Sequence, residues 1–367
     1  MAVYMRKAWL IVTIYSAAHF VVDFACAFLM FRAISMSADW YTCVLLYNFC
    51  AFAMQMPMGV VADKLNRNHL VAAAGCILVC AGYALAGLPG GFGPVFMPIM
   101  AAITAGLGNG MFHIGGGIDV LNISAEMDAG QSGAQRAAPC GLLGVFVSPG
   151  ALGVYFGAAV GKTGGLSALP IMISLIVAAT LIPDVRRISR CTIQNAEFSP
   201  ETPRPALIAA ACLFLVVCLR SYTGLSIDFP WKTAGHWGLA LVLASAFGKA
   251  AGGFLAGLRV PDGALGARRS AALSLGIAAV LFLFPQTPAA GVAAMFLFNM
   301  SMPITLWGMA KLFPGAKGFS FGLLTFALFL GFLPGYLGAG APPLLVFAPL
   351  SAISLALTVM GLRKGRT

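Results

Sequence analysis

A histidine and a carboxylate stand one helical turn apart inside an apolar run. His19 and Asp23 fall in the stretch from Ala8 to Phe31, and an i,i+4 spacing puts both on one helix face. Imidazole changes charge near neutral pH. A charge at the centre of a bilayer costs about 2.5–3.5 kcal/mol on insertion scales, so an ionisable group kept there is a functional candidate. His113 and Arg220 lie in apolar runs of their own, and so do the polar residues Gln55, Asn109, Asn299 and Trp307. The planar guanidinium of Arg220 suits a carboxylate or a phosphate. Asp23 and Arg220 each sit about 15 residues into their runs, which puts them at similar depth at 1.5 Å per residue. Three readings of that pair stand open. It is a structural ion pair, a substrate site using one or both charges, or a proton carrier in which His19 tunes Asp23.

Other chemistry is missing. Nine cysteines occur, most of them within apolar runs, with no CxxC and no zinc-like Cys/His spacing. Gly157-Ala-Ala-Val-Gly161-Lys162-Thr163 is one residue short of a phosphate loop and follows an apolar helix instead of a strand. There is no GxGxxG, HExxH or GxSxG. Asn122-Ile-Ser124 fits a glycosylation sequon but falls on the side expected to be cytoplasmic. No metal, no cofactor and no enzymatic activity are expected. His113, Gln55, Asn109, Asn299 and Trp307 join Arg220 as candidates for a substrate site.

The elements that must carry these residues follow from composition. The chain has 367 residues, 60% of them hydrophobic and 9% charged, against roughly a quarter charged in soluble domains. That excludes a soluble enzyme, a nucleic-acid binder and a disordered chain. Twelve runs are long enough to cross a bilayer, near 8–31, 39–61, 69–88, 94–116, 138–160, 167–183, 205–225, 233–257, 270–287, 289–311, 319–338 and 341–361. Met5-Arg6-Lys7 followed by the long first run reads as a retained first helix. Longer polar stretches occur at 119–137 and 183–205. The second divides the chain into an N-terminal six-helix bundle (1–183), a cytoplasmic linker (184–204) and a C-terminal six-helix bundle (205–367).

The net charge is +11, from 22 Lys and Arg against 11 Asp and Glu. With the N-terminus inside, only Arg32, Lys162 and Lys232 fall outside, and Arg220 and Lys249 fall within spans. Every other Lys and Arg lies on the inner side. The positive-inside rule then puts both termini in the cytoplasm of a multi-pass protein of the cell inner (plasma) membrane. Gly106/Gly110, Gly248/Gly252 and Gly253/Gly257 have the spacing that lets helices approach closely. Pro57, Pro149, Pro303 and Pro334 interrupt spans. Gly115-Gly116-Gly117 after His113 is either an unwound hinge or a packing surface.

The turn after the second span reads Gly59-Val-Val-Ala-Asp63-Lys64-Leu-Asn-Arg67, and a weaker echo, Gly248-Lys-Ala-Ala-Gly252-Gly253 to Arg259, lacks the aspartate. Together with twelve spans and a basic central linker, these resemble the major facilitator superfamily. The resemblance implies two six-helix bundles around a cavity lined by spans one, four, seven and ten, and a cytoplasmic gate built on Gly59, Asp63, Lys64 and Arg67. His19-Phe20-Val-Val-Asp23, Gln55-Met-Pro57-Met-Gly59, Gly106-Leu-Gly108-Asn109-Gly110-Met-Phe112-His113 and Arg220-Ser221 are similar to motifs of the fosmidomycin-resistance-type drug:proton antiporters. The sequence departs from that group at Ile114, where it carries a proline. The implied function is proton-coupled efflux of a small solute by alternating access, with Asp23 and His19 coupling protons. An importer or uniporter of an organic anion or sugar is the alternative, and a non-transporting sensor or scaffold is the alternative from another class. The expected partners are a small-molecule substrate, protons and the lipid bilayer. No nucleic acid is expected, and the protein is expected to be a monomer.

Overall fold

A computed structural model describes residues 2–87, 96–129, 140–189, 204–256, 259–260, 263–264 and 266–363. Twelve long helices follow one another: α1 (Ala2–Arg32), α2 (Trp40–Leu65), α3 (Asn68–Gly87), α4 (Phe96–Ala129), α5 (Gly141–Thr163), α6 (Ala168–Ser189), α7 (Arg204–Ser226), α8 (Trp237–Leu255), α9 (Gly266–Leu281), α10 (Pro288–Leu312), α11 (Lys317–Tyr336) and α12 (Phe347–Gly361). Among the described residues, nine of these are long and apolar enough to cross a membrane by length and composition. The chain is a multi-pass membrane protein. The only strands described, β1 (Arg259–Val260) and β2 (Gly263–Ala264), form a small antiparallel turn between α8 and α9.

The two halves repeat one pairing scheme. α1 packs on α5 as α7 packs on α11, α3 on α6 as α9 on α12, and α3 on α4 as α9 on α10. The halves meet chiefly through α2 against α11 and α5 against α8. Small residues make the closest of these contacts. In α5, Gly150, Gly153, Gly157 and Gly161 form a column along α1, where a Cβ at each would meet in turn His19 and Asp23, Phe20, Phe24 and Phe28. The near-match to a phosphate loop is part of this column, so its glycines serve helix contact. Gly106 and Gly110 pack on α2, and Gly248 and Gly252 on α10. Gly253 packs on Cys140 and Gly257 lies outside the described residues.

Proline breaks are compensated locally. Pro149 has no N–H to give to the Val145 carbonyl one turn back, and the Ser16 hydroxyl of α1 donates to that carbonyl at 3.1 Å instead. α2 carries a π turn at Phe49–Ala53 shortly before Pro57, and α10 breaks at Met300 shortly before Pro303.

The polar stretch expected from residue 119 is helical as far as Ala129, and 130–139 lie outside the described residues. Asp119 is drawn into the helix because it has partners there. Tyr15 Oη donates to it at 2.6 Å and Asn68 Nδ2 at 3.0 Å, joining α1, α3 and α4. The Gly115–Gly117 run does not unwind. Its three faces pack on Ala72, on Tyr15 with Phe146, and on Phe321, so packing is the reading the structure supports. Of the central stretch, 190–203 lie outside the described residues.

Candidate functional site

α1, α4 and α5 bring His19, Asp23 and His113 together. The glycine column of α5 lets α1 approach so closely that a methyl at Gly150 would fall on His19 Nε2 and Asp23 Oδ2. His19 and Asp23 therefore face inward, towards α4. There His19 Nε2 lies 2.8 Å from His113 Nε2, 3.2 Å from Asp23 Oδ2, and the His113 Nε2 lies 3.7 Å from Asp23 Oδ1. Asn109, one turn before His113, donates to Asp23 Oδ1 at 2.8 Å.

The protonation pattern follows from the partners. His19 Nδ1 lies 2.7 Å from the Phe146 carbonyl and His113 Nδ1 lies 2.8 Å from the Asn109 carbonyl. A carbonyl oxygen only accepts, so both Nδ1 atoms carry hydrogen. In two neutral rings the Nε2 atoms would then both be bare lone pairs, and 2.8 Å apart they would repel. A single proton shared between them turns that contact into a charge-assisted hydrogen bond, and Asp23 balances its charge. The same three residues have the types of a metal site, with ligand atoms within 4.8 Å of one another. The Nε2 atoms, 2.8 Å apart, stand closer than the about 3.3 Å of two imidazoles on one tetrahedral zinc with Zn–N bonds near 2.05 Å, so a metal there would need the rings to separate.

A cavity of about 570 Å³ lies on the other side of α5, lined by α2, α5, α7, α8, α10 and α11. Arg220, Asn299 and Lys249 reach it, with apolar walls from Phe52, Phe298 and Phe332. It runs to Lys232 and Gly238 between α7 and α8, at the end of the bundle opposite the Asp63 turn. Arg220 is 7% exposed, and its Nη1 donates to Thr305 Oγ1 at 3.2 Å.

These positions separate the candidates. Arg220 and Asn299 line the cavity. His113 and Asn109 belong to the cluster around Asp23, and no described ion pair joins Asp23 to Arg220. The resemblance implies that spans one and four line the central cavity; among the described residues, none of theirs borders this cavity. The α1–α5 glycine seam turns their polar side chains into the bundle. Gln55 is fully buried, bonded to its own helix through Ala51 and wedged near Gly110 of α4. Trp307 is half-buried against the cluster of Cys140, Ala256, Ala271 and Ile304, with Lys311 Nζ 4.2 Å above its ring. Neither Gln55 nor Trp307 borders the cavity. Lys249 was missed as a site residue. Its signal was present, since it is one of two basic residues within the spans, but it sat in a glycine-rich stretch read as a loop echo.

The gate candidates divide in the same way. Gly59 and Gly318 touch backbone to backbone, leaving no room for a Cβ on either. That approach lets the Asp63 carboxylate accept the Gly318 and Phe319 amides of α11 at 2.8 and 2.9 Å. These amides are orphan donors at a helix N-terminus, where negative charge is stabilised. Lys317 Nζ donates to Asn122 of α4 at 2.6 Å beside it. Lys64 and Arg67 are exposed on the turn that Asn66 makes at a φ of 48°. At the opposite end the Tyr41 and Tyr336 rings stack 4.1 Å apart between α2 and α11.

No protein-family model and no curated protein sequence matches the chain. Solved structures do. A structure of the E. coli fucose:proton symporter FucP aligns over 98% of this chain and 100% of that one, at 12% identity and a TM-score of 0.61. A second, described as the major facilitator superfamily transporter FucP in the outward conformation, aligns over the same shares at 12% identity and a TM-score of 0.65. The chain therefore has the major facilitator fold, all-α, with twelve helices in two bundles of six.

Proposed function

We propose that this protein is a major facilitator transporter that moves a small solute by alternating access and couples the movement to protons. The carrying observation is the 2.8 Å contact between two imidazole Nε2 atoms whose Nδ1 positions are both committed to carbonyls. That contact asks for one proton, and Asp23 beside it makes the protonated cluster neutral. Asp23 and His19 are the coupling pair, His113 completes their site, and Asn109 orients the carboxylate.

Arg220 anchors the solute in the cavity, with Asn299 beside it. The Asp63 turn is the cytoplasmic gate, closed here, and the cavity faces outward. The bundles divide as 1–183 and 205–367 around a cytoplasmic linker. Both termini are cytoplasmic, the membrane is the cell inner membrane, and the working unit is a monomer.

The direction is efflux by antiport, supported by the likeness of the α1, α2, α4 and α7 motifs to the fosmidomycin-resistance-type exporters. Import by symport is the second reading, favoured by the fold shared with a fucose:proton symporter. Proteoliposomes with an imposed pH gradient decide between them. Solute leaving against its gradient as protons enter supports antiport, and accumulation with protons supports symport. Solute movement indifferent to the pH gradient sinks the proton coupling.

A further inference from the structure

A second buried carboxylate stands near the cluster around Asp23. Asp119 of α4 is 5% exposed and lies six residues beyond His113, about 9 Å along the helix at 1.5 Å per residue. With the orientation proposed above, that is the cytoplasmic side of the cluster. Tyr15 lies one turn to the same side of His19 on α1 and is fully buried. Its hydroxyl donates to Asp119 Oδ2 at 2.6 Å. Asn68 of α3 donates to the other carboxylate oxygen at 3.0 Å. The Asn68 Oδ1 is buried without a hydrogen-bond partner, and such an atom is where water enters a protein interior.

Helix geometry places Tyr15 between the two sites. A Cβ on Gly116 would meet the Tyr15 ring at 3.0 Å. At about 100° per residue, Gly116 lies on the face of α4 between that of His113 and that of Asp119. A tyrosine oxygen donates one hydrogen and also accepts on its lone pairs. Tyr15 can therefore take a proton from the cluster side while its own passes to Asp119.

The step is closed in this state. The Phe146 ring packs on both Tyr15 and His19, with centroids 6.5 and 5.0 Å away. Gly117, one turn beyond His113, carries the Phe321 ring of α11. Phe321 belongs to the other half, on the helix that Asp63 caps and whose Lys317 bonds to Asn122. Parting of α11 from α2 and α4 at this end takes Phe321 away and admits water beside His113.

Resting on the proton coupling proposed above, we infer that Tyr15 and Asp119 form the inner exit of the proton path. The shared proton leaves the histidine pair for a water molecule, and that water protonates the Tyr15 oxygen. The tyrosine O–H bond breaks as its hydrogen passes to the Asp119 carboxylate. Asp119 then gives the proton to cytoplasmic water, and both side chains return to their starting charges. Asn68 is a positioning residue for the carboxylate. The exit serves antiport and symport alike, because protons run inward in both.

The test is sided proton release by the detergent-purified full chain, read with a pH dye after a jump from about pH 6 to about pH 8, across the usual imidazole range. The Tyr41 and Tyr336 rings stack 4.1 Å apart, so Tyr41→Cys with Tyr336→Cys, joined by a short thiol cross-linker, holds the outer end shut. In the linked protein Tyr15→Phe and Asp119→Asn should each slow release roughly tenfold or more, as loss of a positioned proton-transfer group does. Asp119→Glu should recover most of the rate. In the unlinked protein, which keeps the outer route, the same substitutions should slow release far less. Tyr15→Phe keeps the ring against Gly116 and Phe146, and thermal melting checks the fold of each variant.

The inference is overturned by release from the linked protein that Tyr15→Phe and Asp119→Asn leave unchanged. It is overturned equally by the same slowing in linked and unlinked protein, which is what a merely structural pair gives. The two proposals fail separately. Release that vanishes in Asp23→Asn but ignores Tyr15→Phe removes the exit and leaves the coupling. Release that Asp23→Asn does not alter removes the coupling, and the exit falls with it.

Discussion

The interiors of the two halves treat charge in opposite ways. In the N-terminal half, Asp23, His19, His113 and Asn109 are bonded to one another and to backbone carbonyls. In the C-terminal half, Arg220 and Lys249 border a mostly apolar cavity with no carboxylate among its described lining residues. A cluster that satisfies itself has room for little more than a proton. A cluster that stays open has room for a molecule. The same helix-pairing scheme thus gives a closed polar cluster in one half and an open cavity in the other, with Gly150 of α5 on the cluster and Ala151 on the cavity; the proposal above assigns protons to the first and the solute to the second.

The largest test of that division is Asp23→Asn. Gradient-driven transport should fall to the level of empty liposomes, while solute affinity measured by calorimetry stays within about threefold, because Asn keeps the shape and loses only the charge. Lost binding in that variant would merge the two sites into one. The reverse experiment is Arg220→Gln. Loss of charged hydrogen bonds worth about 1.5–3 kcal/mol should weaken solute binding roughly 10- to 100-fold, and proton release by the empty protein should not change.

Gly150→Ala attacks the proton cluster without touching an ionisable group. Its methyl would land on His19 Nε2 and Asp23 Oδ2, so it should cost about 1–3 kcal/mol in unfolding measurements, as overpacking does, and weaken proton coupling more than solute binding. Equal loss of both functions would argue that the seam serves stability alone.

Smaller effects are expected at the two ends. Asp63→Ala removes two bonds from helix amides to a carboxylate, worth about 1.5 kcal/mol each at the lower end for a charged acceptor. Labelling of a cysteine placed in the α2–α11 interface near Gly318 should then rise several-fold, as the gate opens more often. Tyr336→Ala removes a ring stack worth about 0.5–1.5 kcal/mol, and the same labelling near Tyr41 should rise by less. A larger effect at Tyr336 than at Asp63 would reverse the ranking of the two closures.

Half of the proton cluster was legible in the sequence, because His19 and Asp23 are neighbours on one helix. His113 was visible only as an intramembrane histidine. It lies 94 positions away, and no local spacing reports which face of α4 meets α1. Gln55 and Trp307 stand out in the sequence for being polar or aromatic within a span, and packing against α4 for the one and against Cys140, Ala271 and Ile304 for the other accounts for both. Lys249 carried the signal of a basic residue inside a span, but its glycine-rich surroundings echo the Asp63 turn of the first half.

Composition by itself settled that this is a many-helix membrane protein, because a chain with 9% charged residues cannot cover itself in water. Glycine spacing announced close helix contacts, and the apolar runs located the spans to within a few residues. Only the tertiary structure decided which charges meet and which stay open. Side-chain direction depends on which helix faces pack together, and packing over long sequence separations leaves no period to read. The glycine column of α5 brings His19 and Asp23 against α5, whereas Arg220 and Lys249 border the cavity.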